Sequence, residues 1–117
     1  MQALFIVLNK TECLDDILKE FVNIGIRGAT IIDSQGMASA LVKSPQNNIP
    51  IIGTLRGLVD SSRPYNKTIF TVVENEKMAD LAMETVNEIV GDMNSEGTGV
   101  MFTIPVGKIY GLGNFNE

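Results

Sequence analysis

The stretch ALFIVL, residues 3–8, decides the fold of this chain. Six consecutive apolar residues are typical of a short β-strand that is buried on both faces. The polar residues Asn9 and Lys10 end the run, and a helical pattern follows them directly. The sequence therefore begins with a buried strand that leads into a helix.

The helix that follows this strand is amphipathic. Its apolar residues recur at helical spacing, with charged residues on the opposite side; they are Leu14, Ile17, Leu18, Phe21 and Ile24. Thr11 is expected to cap the helix and Gly25 to end it. A second strand is predicted at residues 28–34, GATIIDS.

The second half of the chain repeats this order. A strand rich in β-branched residues is predicted at residues 68–73, and Asn75 is expected to cap a second helix that Gly91 ends. The glycine-rich segment DMNSEGTG then leads into a fourth strand at residues 100–106. The sequence thus indicates strand, helix, strand, long loop, strand, helix and strand.

This order predicts an α+β fold of the ferredoxin-like type. In such a βαββαβ sandwich, two helices cover one face of an antiparallel sheet. Helices of about 14 residues and strands of about 6–7 residues are both about 21 Å long, so the two layers match. The 117 residues are expected to form one domain. Its irregular parts are a long loop between the second and third strands at about 36–66, a glycine-rich turn at about 94–99 and a tail at 107–117.

Both faces of the predicted sheet are apolar. Leu4 and Ile6 point to one side of the first strand, and Phe5 and Val7 point to the other. Two helices cover only one face, and leaving the other face in water would cost on the order of 10 kcal/mol. We therefore expect an obligate homo-oligomer. The alternative is that the central loop folds back over the second face.

The composition excludes several functional classes. Histidine is absent, which removes His-dependent catalytic triads and His-ligated zinc. The single cysteine rules out an internal disulfide, and the net charge of −5 argues against a nucleic-acid partner. The start of the chain lacks the features of a secretory signal peptide, and no apolar run has the length of a membrane span. A cytoplasmic location is therefore expected.

The central loop is one candidate for binding, because it is too long for a simple connection. It contains short apolar pieces as well as Lys43, Arg56 and Arg63. Two interpretations remain open. The loop is either a binding loop that orders on a ligand or partner, or an excursion that packs on a neighbouring subunit.

The second candidate is the turn in which Gly97 and Gly99 flank Thr98. Such a turn is either an anion-binding nest of backbone N–H groups or a plain connection. The turn leads into a strand. The common phosphate-binding motifs, which precede the N-terminus of a helix, therefore do not apply to it. No catalytic constellation and no metal-ligating set are found, so no enzymatic activity is expected.

The chain resembles the PII signal-transduction proteins and their PII-like relatives. The resemblance covers most of the chain. It rests on the order of the elements, the passage IGIRGAT at residues 24–30, Gly36 at the start of the long loop, and the turn GTG at 97–99 before VMFTIPV. It implies a cytoplasmic homotrimer whose sheets pack around the three-fold axis. It also implies a regulatory role, most commonly in nitrogen metabolism.

The resemblance further implies a ligand site and a partner. PII-like proteins bind small molecules, commonly adenine nucleotides such as ATP, ADP or AMP, in clefts between subunits. The implied ligand-binding residues are Gly36, Met37, Gly97, Thr98, Gly99 and Lys108. The long loop, called the T-loop, regulates a target enzyme or membrane transporter. Its implied partner-facing residues are Ile51, Ile52, Arg56 and Arg63.

The sequence departs from the nucleotide-binding pattern at several positions. Val100 stands where such members have a lysine, and Gly111 and Gly113 stand where they have arginines. Because those cations bind phosphate, the departures predict weak binding of ATP. The main alternative is an adaptor that binds no nucleotide and acts through the apolar pieces at residues 49–52 and 55–59. A metal-responsive trimer of the related CutA-like type is a weaker alternative, since histidine is absent.

Overall fold

The fold is taken from a computed structural model, which describes residues 1–43 and 65–112. Its elements in chain order are β1 (Gln2–Leu8), α1 (Leu14–Ile24), β2 (Thr30–Ser34), α2 (Met37–Lys43), β3 (Asn66–Val73), α3 (Glu76–Val90) and β4 (Gly99–Pro105). A short 3-10 helix, Thr11–Cys13, precedes α1. Among the described helices, none combines the length and the apolar character needed to cross a membrane.

The four strands form one antiparallel sheet in the order β2-β3-β1-β4. Phe5 of β1 lies opposite Phe70 of β3 and Phe102 of β4, and Phe70 in turn lies opposite Thr30 of β2. The helices pack on this sheet, so the predicted α+β class is confirmed, and the arrangement is compatible with a ferredoxin-like fold. Most of the predicted long loop lies outside the described residues.

The core lies between one face of the sheet and the two long helices. Leu4, Ile6 and Leu8 of β1 are completely buried on this face. Side chains from β3, α1 and α3 complete the core: Ile69, Val73, Ile17, Phe21, Ala79, Ala82, Val86 and Val90. The apolar periodicity of both helices therefore faces the sheet, as their sequences predict.

The helix ends follow the predicted signals with one exception. Gly25 ends α1 in the left-handed conformation, with φ of 98°, and Gly91 lies at the end of α3. The prediction that Thr11 caps α1 is wrong. Cys13 occupies the N-cap position without a side-chain hydrogen bond, because the chain first makes a 3-10 turn.

Asn75 caps α3 through its side chain, since Met78 N–H donates to Asn75 Oδ1 at 2.9 Å. We expect Asn75→Ala to lower the free energy of unfolding by about 1 kcal/mol, because one N–H at the helix start loses its acceptor. Urea denaturation measures this change. Asn23→Ala is the matched control, because Asn23 is exposed within α1 and bonds only Glu20 among the contacts described. A similar loss in both variants would contradict the capping role.

Two elements differ from the sequence-based expectation. The strand predicted at residues 28–34 is shorter, because Gly28 O accepts the Thr71 hydroxyl at 2.6 Å and β2 pairs with β3 only from Thr30 onward. The long loop starts with a helix, α2, in which Ala40 N–H donates to Gly36 O at 3.0 Å. The residues of α2 include strong helix formers, although the sequence of this segment shows no amphipathic pattern.

The other face of the sheet is here called the open face. From β1, β3 and β4 it carries alternate residues: Ala3, Phe5, Val7, Thr68, Phe70, Val72, Val100, Phe102 and Ile104. The ring of Phe5 stacks on Phe70 at 5.7 Å and on Phe102 at 5.4 Å. Phe102 and Ile104 remain 43% and 46% exposed. The helices lie on the opposite face, so this apolar surface is not covered by α1 or α3.

Candidate functional site

The glycine-rich turn, residues 94–99, is held firmly against the rest of the fold. Asn9 N–H donates to Thr98 O at 3.0 Å, and Met93 N–H donates to Asn87 Oδ1 at 2.7 Å. The Lys10 ammonium donates to Val90 O at 2.9 Å and so binds the last turn of α3, just before this segment. The two residues after β1 therefore anchor both the end of α3 and the turn.

Gly99 lies in the closest backbone contact of the turn. Its φ is +143°, and a Cβ atom at this position would lie 2.1 Å from Val7 O. Gly97 also has a positive φ of +79°, but a Cβ there would meet nothing within 4 Å. The turn thus requires glycine at residue 99 for space and at residue 97 for conformation alone.

Thr98 is fully buried between these glycines. Its N–H donates to Ser95 O at 3.2 Å, so this hydrogen bond would have to break before the group could bind an anion. Its hydroxyl has no hydrogen-bond partner within the described part of the chain. Thr98 therefore supports the turn from inside and offers no free donor at the surface.

The base of the long loop lies at the same end of the sheet as the glycine turn, but at the opposite edge. The row Asp33, Lys67, Leu8 and Gly99 crosses all four strands. Three strand spacings separate its ends by about 14 Å. Gly36 follows β2 directly, and Met37 opens α2 with its side chain 74% exposed.

Side chains tie the two strands together where the long loop leaves and returns. On one face Lys67 and Asp33 form an ion pair. On the open face Ser34 Oγ contacts the Asn66 amide oxygen and lies 2.7 Å from Thr68 Oγ1. The ends of the loop are therefore joined on both faces of the sheet.

Lys108 lies at the other end of the molecule. It follows β4, whose seven residues place it about 20 Å from Gly99. One chain therefore distributes the predicted ligand-binding residues over three places: the glycine turn, the loop base and the tail. The predicted partner-facing residues Ile51, Ile52, Arg56 and Arg63 lie outside the described residues, as does Gly113.

The structure adds a cavity of about 510 Å³ that no sequence motif indicated, here called the tail cavity. After β4, Val106 N–H donates to Met1 O at 3.1 Å, and the chain then crosses the end of the sheet toward β3. The connection from α1 to β2, the end of β3, the start of α3 and the tail line the tail cavity, which is partly open to solvent. The residues that line it are Gly25, Ile26, Arg27, Gly28, Ala29, Thr30, Phe70, Thr71, Val72, Val73, Glu74, Met78, Gly111 and Leu112.

The tail cavity has the size and lining of a small-molecule site. Ligand pockets commonly measure about 300–1,000 Å³ and have apolar walls with few polar groups. Its walls include Phe70, Val72 and Leu112, and the Thr71–Gly28 hydrogen bond fixes one side. The Thr30 hydroxyl has no hydrogen-bond partner among the described residues, so it is available to a ligand.

The described residues hold no group of three or more cysteine or carboxylate side chains suited to a metal ion. No family model matches the chain, and no curated protein is significantly similar to it.

Proposed function

We propose that this chain is a subunit of a PII-like regulatory homotrimer without enzymatic activity. The trimer acts in the cytoplasm, senses a small molecule such as an adenine nucleotide at its subunit boundaries, and regulates an enzyme or membrane transporter through the segment between β2 and β3. The open face is the observation that carries this proposal. The resemblance of the sequence to PII-like proteins supplies the number of subunits.

The open face supports self-association for an energetic reason. Its phenylalanine stack includes Phe102, and Val100 and Ile104 flank Phe102 on β4; each of these three residues is more than 40% exposed. Contiguous apolar patches of this kind mark interaction surfaces, because burial stabilises by about 25 cal/mol per Å². Packing of three such faces around an axis removes the patch from water.

The edges of the sheet explain why the site needs a neighbour. A ring forms by head-to-tail contacts between unlike edges of successive subunits. Contact between a β4 edge and the next subunit's β2 edge brings the glycine turn beside the neighbour's loop base. At the other end of the sheet it brings Lys108 toward the neighbour's tail cavity. Each boundary then holds two such pairs, one at either end of the sheet.

The ligand signals only if it contacts groups whose arrangement differs between two states. The glycine turn is anchored through Asn9 and Lys10, so it acts as the fixed side of the site. The neighbour's loop base is the side that adjusts. A ligand that contacts both kinds of group shifts the segment between β2 and β3 and so changes its affinity for a partner.

The mass in solution tests the oligomer directly. We expect light scattering to give about 38 kDa, three times the 12.7 kDa chain. The value should persist on dilution to low micromolar concentration, because the open face is apolar. A stable monomer would overturn the proposed function, since the subunit boundaries would not exist.

A thermal-shift panel tests the sensor. ATP, ADP, AMP and cyclic dinucleotides are the probes, and a ligand at 100 times its dissociation constant adds about 2.7 kcal/mol of stability. We expect at least one probe to stabilise the trimer. A flat response from a confirmed trimer would contradict sensing by these ligands and favour the adaptor, which works through protein contacts alone.

A further inference from the structure

The tail cavity exists because β2 separates from β3 before the end of the sheet. β2 pairs with β3 only from Thr30 onward, and the Thr71 hydroxyl holds the preceding connection by donating to Gly28 O at 2.6 Å. The connection and the end of β3 therefore line opposite sides of the cavity. One chain supplies all of these walls, so the cavity does not depend on a neighbouring subunit.

The cavity carries opposite charges at one end. Thr30 lies opposite Phe70, so the continued antiparallel course of the chain places Arg27 near Val73 at the end of β3. Glu74 follows Val73 directly, and both charged residues are exposed and line the cavity. A guanidinium has five N–H donors and a carboxylate has two acceptor oxygens, so each can bind a ligand in addition to a protein group. The cavity thus presents a cation and an anion to the same ligand.

The walls beside these charges are apolar. Ile26 and Val73 belong to the hydrophobic core, and Met78 packs against it. All three residues line the cavity, and Leu112 adds an apolar side chain from the tail. None of these four residues belongs to the open face, so the proposed trimer does not use them.

We infer that the tail cavity binds a small zwitterion, namely an α-amino acid with a large apolar side chain. Arg27 donates to the carboxylate of the ligand, and Glu74 accepts from its ammonium group. The side chain of the ligand packs on Ile26, Met78 and Leu112, where a polar side chain would lose its hydrogen bonds with water. The inference goes beyond the proposed function, because it adds a second ligand that one chain binds by itself.

Calorimetry on the purified protein tests the inference with L-leucine, L-methionine and L-phenylalanine. L-alanine is the control, because it has the same charged groups without a large side chain. We expect at least one of the three larger amino acids to bind at least about tenfold more tightly than L-alanine. Absence of binding by all three, or equal binding of L-alanine, would overturn the inference. The mass and the nucleotide panel are measured separately, so this failure would leave the proposed function standing.

Two analogues of the amino acid that binds most tightly separate the two charges. Its amide lacks the carboxylate, and its deaminated acid lacks the ammonium group. We expect Arg27→Gln to weaken binding of the amino acid and of the deaminated acid at least about tenfold, with the affinity for the amide unchanged. Glu74→Gln should weaken binding of the amino acid and of the amide, with the affinity for the deaminated acid unchanged. Equal losses for all ligands, or no loss, would overturn the inference.

Lys19→Gln and Glu84→Gln are the matched controls for these two variants. Each removes the same charge from an exposed residue of a long helix, and neither residue lines the cavity. We expect both controls to bind the amino acid as the unmodified protein does. Losses as large as those of the cavity variants would show that the net charge of the protein sets the affinity, and they would overturn the assignment to Arg27 and Glu74.

Discussion

Gly99→Ala is expected to lower the free energy of unfolding by about 3 kcal/mol or more. An alanine Cβ would lie 2.1 Å from Val7 O, so the start of β4 would have to move away from β1. The φ of +143° adds backbone strain for any residue with a side chain. Overpacking and strain each contribute about 1–3 kcal/mol, and they act together at this residue.

Gly97→Ala is the matched control, because it lies two residues away in the same turn. Its φ is also positive, but a Cβ there meets no atom within 4 Å. We expect a loss of about 1 kcal/mol from backbone conformation alone. Urea denaturation at fixed subunit concentration measures both variants, since oligomer stability depends on concentration. Equal losses would show that the contact with Val7 is unimportant.

Phe102→Glu is expected to convert the proposed trimer into monomers. Phe102 lies at the midpoint of the edge strand β4 on the open face, stacked on Phe5, and is 43% exposed in the single chain. In the proposed trimer a carboxylate at this residue would be buried without a partner, which costs several kcal/mol. We expect the dissociation constant to rise by at least about 1,000-fold, measured by sedimentation equilibrium.

Two further variants make this experiment decisive. Val22→Glu places the same charge on α1, where Val22 is 71% exposed on the helical layer, and it should leave the mass unchanged. Ile104→Glu introduces a carboxylate at the end of the open face without touching the phenylalanine stack. It should also produce folded monomers, as judged by circular dichroism. A trimer that survives both open-face substitutions would place the subunit contact on another surface.

The elements of the fold were predictable because their signals are local. The run at residues 3–8, the apolar stripes of the two long helices, and the Asn75 and Gly91 end signals each lie within one segment of chain. The error in the length of β2 occurs where distant segments meet. The Thr71 hydroxyl binds Gly28 O and shortens β2, and no local pattern reveals that contact.

The candidate site was predictable only in part for the same reason. Gly97 and Gly99 are recognisable in sequence because glycine permits the backbone that the turn adopts. The tail cavity was missed because the tail reaches it only after crossing the end of the sheet. The glycines Gly25 and Gly28 in the connection before β2 line this cavity and were the available sign, since glycine permits close approach to the backbone.

The anchoring of the turn by Asn9 and Lys10 has a consequence for how such a chain can diverge. An insertion or deletion between β1 and the following 3-10 helix would displace two distant partners at once, Thr98 O and Val90 O. Natural variants should therefore keep the length of this junction constant, whereas the identities of its exposed residues should vary. Selection would act there on spacing rather than on residue chemistry.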